Sequence, residues 1–146
     1  NSTDKVKTYG FGLSIDYRLP WNFTIGANVA SDVLKDVPAT FVAYFNAPKY
    51  KANVNLGNSG FGPGKRLGFN VAYRYQGAFL YQGDFATGNL PVVHTLDAQV
   101  SLKLPKANKS LIKLGATNLL NQYYYNAIGN SQVGGLYYVS FGYNIY

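Results

Sequence analysis

Cysteine and methionine are both absent from the 146 residues. Without cysteine there is neither a disulfide framework nor a thiolate metal site. Charge is scarce as well: Asp, Glu, Lys and Arg make up 13% of the chain, about half of the usual quarter. A soluble domain hides its apolar half and coats itself with charge, and this chain lacks the coat. No apolar run approaches the roughly 18 residues that a transmembrane helix requires. Helices and closed barrels are the two folds that satisfy their backbone groups in lipid, so the barrel is the membrane solution left open. A single histidine, His94, leaves no nucleophile–base–acid set, and the chain is read as a non-enzyme without cofactor. The glycine-rich run 57–66 ends in Gly64-Lys65. It fails as a phosphate loop, because Ser59 stands at the first glycine position and Arg66 replaces the Ser/Thr.

The formal charge of +7 comes from 13 basic against 6 acidic residues. The basic residues are spread one or two per strand and turn, with no nucleic-acid motif beside them, so no nucleic-acid partner is expected. The length fits one domain. With no methionine to start it and no signal peptide at Asn1, the chain reads as a mature product or a fragment.

What is abundant is aromatic: 16% of residues, fourteen of them tyrosine, at a mean hydropathy of only −0.10. These residues recur with period 2, the mark of a strand with two unlike faces. Tyr9, Phe11, Leu13, Ile15 and Tyr17 alternate with Thr8, Gly10, Gly12, Ser14 and Asp16. The pattern predicts seven strands, near residues 5–18, 21–29, 49–56, 66–76, 95–104, 112–117 and 137–146. Leu19-Pro20 separates the first two. Connections 32–48, 77–92 and 119–134 are long and the others short. Alternating turns and loops are the signature of an antiparallel up-and-down transmembrane β-barrel, with turns in the periplasm and loops outside. Tyr17 and Trp21 would mark the periplasmic interface, and Tyr9, Tyr50 and Tyr75 the outer one. A soluble all-β binding module also alternates, and a complete small eight-stranded barrel of structural or adhesive role needs one more strand. Residues 39–45 are the candidate for it.

Several side chains stand out by parity. Asp16, Arg18, Lys49, Lys51, Arg66, Arg74, Asp97, Lys103 and Lys113 are expected to face the lumen, pairing between strands, touching a plug or guiding anionic solutes. Tyr81, Tyr123, Tyr124 and Tyr125 are ligand-contact candidates in the loops. Asn118 and Asn121 are expected to shape the exit from a strand, as Asn favours such turns. His94 is expected to be interfacial.

The segments Leu90-Pro-Val-Val-His-Thr-Leu-Asp-Ala-Gln-Val-Ser-Leu, Leu114-Gly-Ala-Thr-Asn-Leu-Leu-Asn-Gln-Tyr-Tyr and Gly135-Leu-Tyr-Tyr-Val-Ser-Phe-Gly-Tyr-Asn resemble the end of a TonB-dependent outer-membrane receptor. The resemblance covers roughly residues 85–146, and residues 1–84 match in pattern. It implies that 1–146 is the C-terminal part of a barrel of about 22 strands, without its N-terminal plug and TonB box. It implies energised import of a scarce nutrient: an iron-siderophore, cobalamin, an oligosaccharide or a peptide. The implied partners are outer-membrane lipid, the rest of the barrel and plug, TonB, the outer-membrane assembly machinery and, in some such systems, a surface lipoprotein. It also assigns an assembly signal to the last strand, carried by Tyr137, Val139, Phe141, Tyr143, Ile145 and Tyr146. Tyr146 departs from the pattern, since it falls on the parity opposite to the others.

Overall fold

The computed structural model describes residues 6–38, 42–104 and 110–143. Alternation becomes strand wherever it runs. The strands are β1 (Lys7–Arg18), β2 (Phe23–Lys35), β3 (Tyr50–Phe61), β4 (Leu67–Gln76), β5 (Phe79–Gln82), β6 (Thr87–Leu90), β7 (Val93–Leu104), β8 (Ser110–Thr117) and β9 (Leu136–Gly142). Seven of them form one antiparallel meander in the order β1-β2-β3-β4-β7-β8-β9, and β5 and β6 make a separate hairpin. Seven strands were expected in the main sheet and seven form it. Its edges, β1 and β9, do not pair with each other among the described residues. Residues 42–48 are not strand, so no eighth wall strand forms there, and residues 39–41 lie outside the described part.

Directly opposed residues of antiparallel strands share a face, so the register sorts every side chain. One continuous row runs Leu56, Val71, Ala98, Ala116 and Tyr137 across five strands. The adjacent row on the other face begins Asp16, Gly26, Asn55, Ala72 and Asp97. Extending this gives one apolar face, from Tyr9, Leu13 and Ile15 on β1 to Val139 and Phe141 on β9. No Lys, Arg or Asp stands on it between Tyr9 and Tyr17 or at the matching heights of the other strands. The opposite face is small and polar. Tyr9, Tyr50 and Tyr75 fall at the long-loop end and Tyr17 and Trp21 at the turn end, as expected for two girdles.

The apolar face is uncovered. Leu13 is 67% exposed and Val139 75%, and among the described residues Leu90 and Ala116 are the fully buried apolar side chains. A soluble sandwich would lay a second sheet over this surface to make a core; among the described residues none covers it.

The polar face is drawn together by side-chain amides and by glycines that make room for them. Asn53 donates to Asn28 Oδ1 at 2.8 Å. Tyr138 crosses Gly115, where a Cβ would strike its ring, and its hydroxyl reaches Gln99 Oε1 at 3.1 Å. At the turn end, the glycine-rich stretch after Leu56 is not a turn from its start. β3 continues through it to Phe61 with a register shift between Asn58 and Phe61, and the turn proper is Pro63–Lys65. Such a bulge bends a strand without ending it. Asn58, 3% exposed, then bonds Trp21 O at 2.9 Å, while Asn22 bonds Gly60 O at 3.0 Å, locking two neighbouring turns together.

Candidate functional site: the loop end of the polar face

The three long connections meet at one end of the sheet. The second is not a plain loop: Phe79–Gln82 and Thr87–Leu90 pair as a hairpin closed over Gly83–Ala86. The first docks on it. Asn46 gives its amide nitrogen to Gln82 O at 2.8 Å and takes the Gln82 N–H on its oxygen at 2.7 Å, copying a backbone pair. Ile128 of the third connection lies against Gly88. Tyr44 hydrogen-bonds Asp84, and that bond, with the repulsion between the carboxylate and a phenolate, raises the Tyr44 phenol above its ordinary 10.0. A raised acid pKa means the contact is intact below the free phenol value and is lost as pH climbs through the raised one. Asp84→Asn should therefore let Tyr44 ionise at lower pH, read from the ring carbon signal of labelled tyrosine. An unmoved signal would mean that the two side chains do not interact.

The third connection is anchored by asparagine. Asn118 and Asn121 both take the left-handed conformation, each at φ 51, which Asn tolerates better than most residues. Asn118 is 4% exposed. Its side chain brackets Gln122, donating to the carbonyl at 2.7 Å and accepting the N–H at 3.0 Å. Asn121 Oδ1 accepts the Gly135 N–H at 2.7 Å, and Tyr137 donates to Leu119 O at 3.1 Å. Asn118 and Asn121 thus shape the strand exit, as their sequence suggests.

Asp97 joins this anchor to the sheet. One carboxylate oxygen accepts the Asn118 N–H at 2.9 Å and the other forms an ion pair with Arg74. Above it lies an open cleft of about 170 Å³ bounded by Lys51, Asn53, Arg74, Gln76, Thr95 and Tyr124. Both oxygens of Asp97 are engaged, and Lys51 has no carboxylate partner among the described residues. The cleft therefore carries net positive charge with amide and hydroxyl donors around it, an arrangement suited to an anionic or oxygen-rich solute.

The predicted site residues distribute as follows. Asp16, Arg18, Lys51, Arg74, Asp97, Lys103 and Lys113 share the polar face by register, and Lys103 donates to Ser59 O at 2.5 Å. Arg66 stands in the turn before β4, where its carbonyl accepts the Lys103 N–H. Lys49 stands just before β3, where its carbonyl accepts the Asp32 N–H at 3.3 Å and so continues the polar-face register, while its ammonium lies 5.3 Å from the centre of the Tyr50 ring. Tyr123, Tyr124 and Tyr125 come together around a second hollow with His94 and Gln132, and Tyr124 borders both hollows. Tyr81 borders neither and packs at Gly83 within its own hairpin. His94 sits at the rim of the apolar face between Tyr73 and Tyr75. Tyr137, Val139, Phe141 and Tyr143 are exposed; Ile145 and Tyr146 lie outside the described residues. Gln76 and Asn126, which line the first cleft, carry no signal in the sequence.

No protein-family model matches this sequence, and no curated protein matches it. Solved structures do. FpvAI in its complex with pyocin S2 superposes with a TM-score of 0.76 at 15% identity, covering 95% of this chain. FpvA of P. aeruginosa bound to a heterologous pyoverdine with iron gives 0.73 at 14% identity over 94%. Both are TonB-dependent receptors. The likeness is one of fold, an antiparallel β-meander. The chain spans 19% of the length of each of these receptors, so what it shares with them is a stretch of β-sheet wall.

Proposed function

We propose that residues 1–146 are the C-terminal barrel portion of a TonB-dependent receptor that takes up a scarce nutrient across the outer membrane. The observation that carries this reading is an uncovered, charge-free apolar face backed by a polar one, in a meander that superposes on FpvA over nearly its whole length. Strands of 10 to 13 residues in β1–β4 and β7 match the length that crosses a bilayer obliquely. From Tyr9 to Tyr17 the rise is about 26 Å along the strand, close to the lipid-facing band of such barrels once tilt is allowed for.

In this reading the apolar face meets lipid, and the open edges β1 and β9 pair with the rest of a barrel of about 22 strands. Asp16, Arg18, Lys51, Arg66, Arg74, Asp97, Lys103 and Lys113 line the lumen, where they meet a plug. Tyr123, Tyr124 and Tyr125 lie at the mouth as ligand contacts. β9 carries the assembly signal. TonB acts through the N-terminal part, and the cargo is an iron-siderophore, cobalamin, an oligosaccharide or a peptide. The chain's role is wall and ligand rim, with no chemistry of its own.

The test is the size of the native parent chain, probed in outer membranes with an antibody against the 77–92 segment. A band several times larger than 16.0 kDa is expected. A band at 16.0 kDa, or no band in the outer-membrane fraction, would end the receptor reading.

A further inference from the structure

We propose that Asp97 sets the charge selectivity of the loop-end cleft, so that the cleft takes a singly charged anionic group, such as a lone carboxylate, in preference to a doubly charged one. This rests on the uptake reading above and deepens it: the cargo presents one carboxylate set among neutral hydroxyl or amide groups. The cleft holds two cations, and they are not alike. Lys51 opposes Ala30 on one side and Gln76 on the other, and no described carboxylate pairs with it. Asp32, diagonal to it on β2, packs over Gly10 on the side of β1. Lys51 therefore keeps its full charge.

Arg74 does not. Asp97 stands one same-face row nearer the turn end, opposite Ala72, and does not border the cleft. Its side chain is 20% exposed, and it pairs with a guanidinium that is half exposed. It cannot swing away freely, because its other oxygen accepts the Asn118 N–H at 2.9 Å. A guanidinium carries five N–H donors. The one spent on Asp97 leaves others for a solute, but the charge is cancelled. Lys51 thus supplies the attraction and Arg74 the donors, facing the neutral Asn53, Gln76, Thr95 and Tyr124. A single negative charge matches this setting. A second could be met only by drawing Arg74 off Asp97, which would leave a largely covered carboxylate without its counter-charge. The volume of about 170 Å³ is below the roughly 300 Å³ at which pockets for whole drug-sized ligands begin, so the cleft holds one group of the cargo.

The experiment titrates the parent protein, purified from outer membranes in mild detergent, with glycolate and with oxalate. These two-carbon anions are close in size and carry one and two negative charges at neutral pH. Wild-type protein should bind glycolate at least as tightly as oxalate. Asp97→Asn keeps an oxygen for the Asn118 N–H and frees the charge of Arg74. It should tighten glycolate binding about fivefold and oxalate binding about 25-fold, since each ligand charge feels the added potential once. Removing the pair together, in Arg74→Met/Asp97→Asn, should return the ratio of the two affinities to its wild-type value, and Lys51→Met should weaken glycolate binding about fivefold. An unchanged ratio in Asp97→Asn would overturn the proposal, as would wild-type protein that binds neither anion. So would a loss of both affinities with increased protease cleavage within 119–134, which would make Asp97 a support of the third connection and nothing more. Absence of the parent chain from outer membranes would overturn the receptor reading instead, whereas a parent chain found there with an unmoved ratio overturns only the role of Asp97.

Discussion

Arginine in place of Val71 is expected to destabilise the membrane-inserted parent protein by about 2–4 kcal/mol, while arginine in place of Asn70 costs less than about 1 kcal/mol. The two residues are neighbours on β4, in the middle of the sheet. Val71 is flanked by Leu56 and Ala98 on the apolar face, and Asn70 by Gly57 and Gln99 on the polar one. Strand, register and length are the same for both, and the change in intrinsic strand preference spans at most about 1 kcal/mol, so a difference larger than that reports what each face touches. At the middle of the band a guanidinium finds hydrocarbon on one side and nothing on the sheet to pair with; on the other side Asn70 is already exposed among polar groups. Denaturant titration of protein folded into lipid vesicles measures both. Equal costs for the two variants would take lipid away from the apolar face, and the receptor reading with it.

How much of the wall could be read in the sequence follows from how each strand is stabilised. Where both faces keep their character over nine or ten residues, as from Tyr9 to Tyr17 or from Leu67 to Gln76, period 2 shows the strand and its orientation. Three features escaped. β2 continues past Val29 to Lys35 because Ser31, Asp32 and Leu34 pair with β1, although Ser31 and Leu34 break the alternation; the backbone ladder extends a strand regardless of side-chain polarity. β3 crosses Asn58–Phe61, where Gly and Ser imitate a turn, because Asn58 supplies buried hydrogen bonds that take the place of apolar packing. The β5–β6 hairpin has four residues to a strand, too few for any period to appear.

The site was legible in parts for the same reason. Parity placed Lys51, Arg74 and Asp97 on one face, since it follows from local geometry alone. Lys49 keeps that parity through its backbone bond to Asp32, although its ammonium reaches the Tyr50 ring. Which of these groups meet is a matter of register and loop return, and these are set by contacts distant in sequence. Arg74 with Asp97, and Tyr124 over Lys51, appear only once β4 pairs with β7 and the third connection folds back. The asparagines are the exception. Their use at positive φ is a local property, so Asn118 and Asn121 could be read as turn-formers, though not that Asn118 would be tied to Asp97.

The Asn118 side chain carries the second large effect, through its two bonds to Gln122. Asn118→Ala is expected to cost about 3 kcal/mol: roughly 1 kcal/mol for each of the two lost bonds to Gln122, and about 1 more for placing alanine at φ 51 in the left-handed region. Asn118→Gly removes the bonds but not the backbone freedom, so it should cost about 2 kcal/mol, and the gap between the two variants measures the strain. The loss should be local before it is global. With Gln122 released, the Tyr124–Val133 pairing loses the fixed start of its loop, and the roof of the cleft above Lys51 and Arg74 opens. Protease cleavage within 119–134 should therefore rise in both variants at denaturant concentrations that leave the sheet intact, more steeply in the alanine one. If cleavage and unfolding instead move together, the asparagine stabilises the whole wall, and the roof over the cleft has no independent hinge at Asn118.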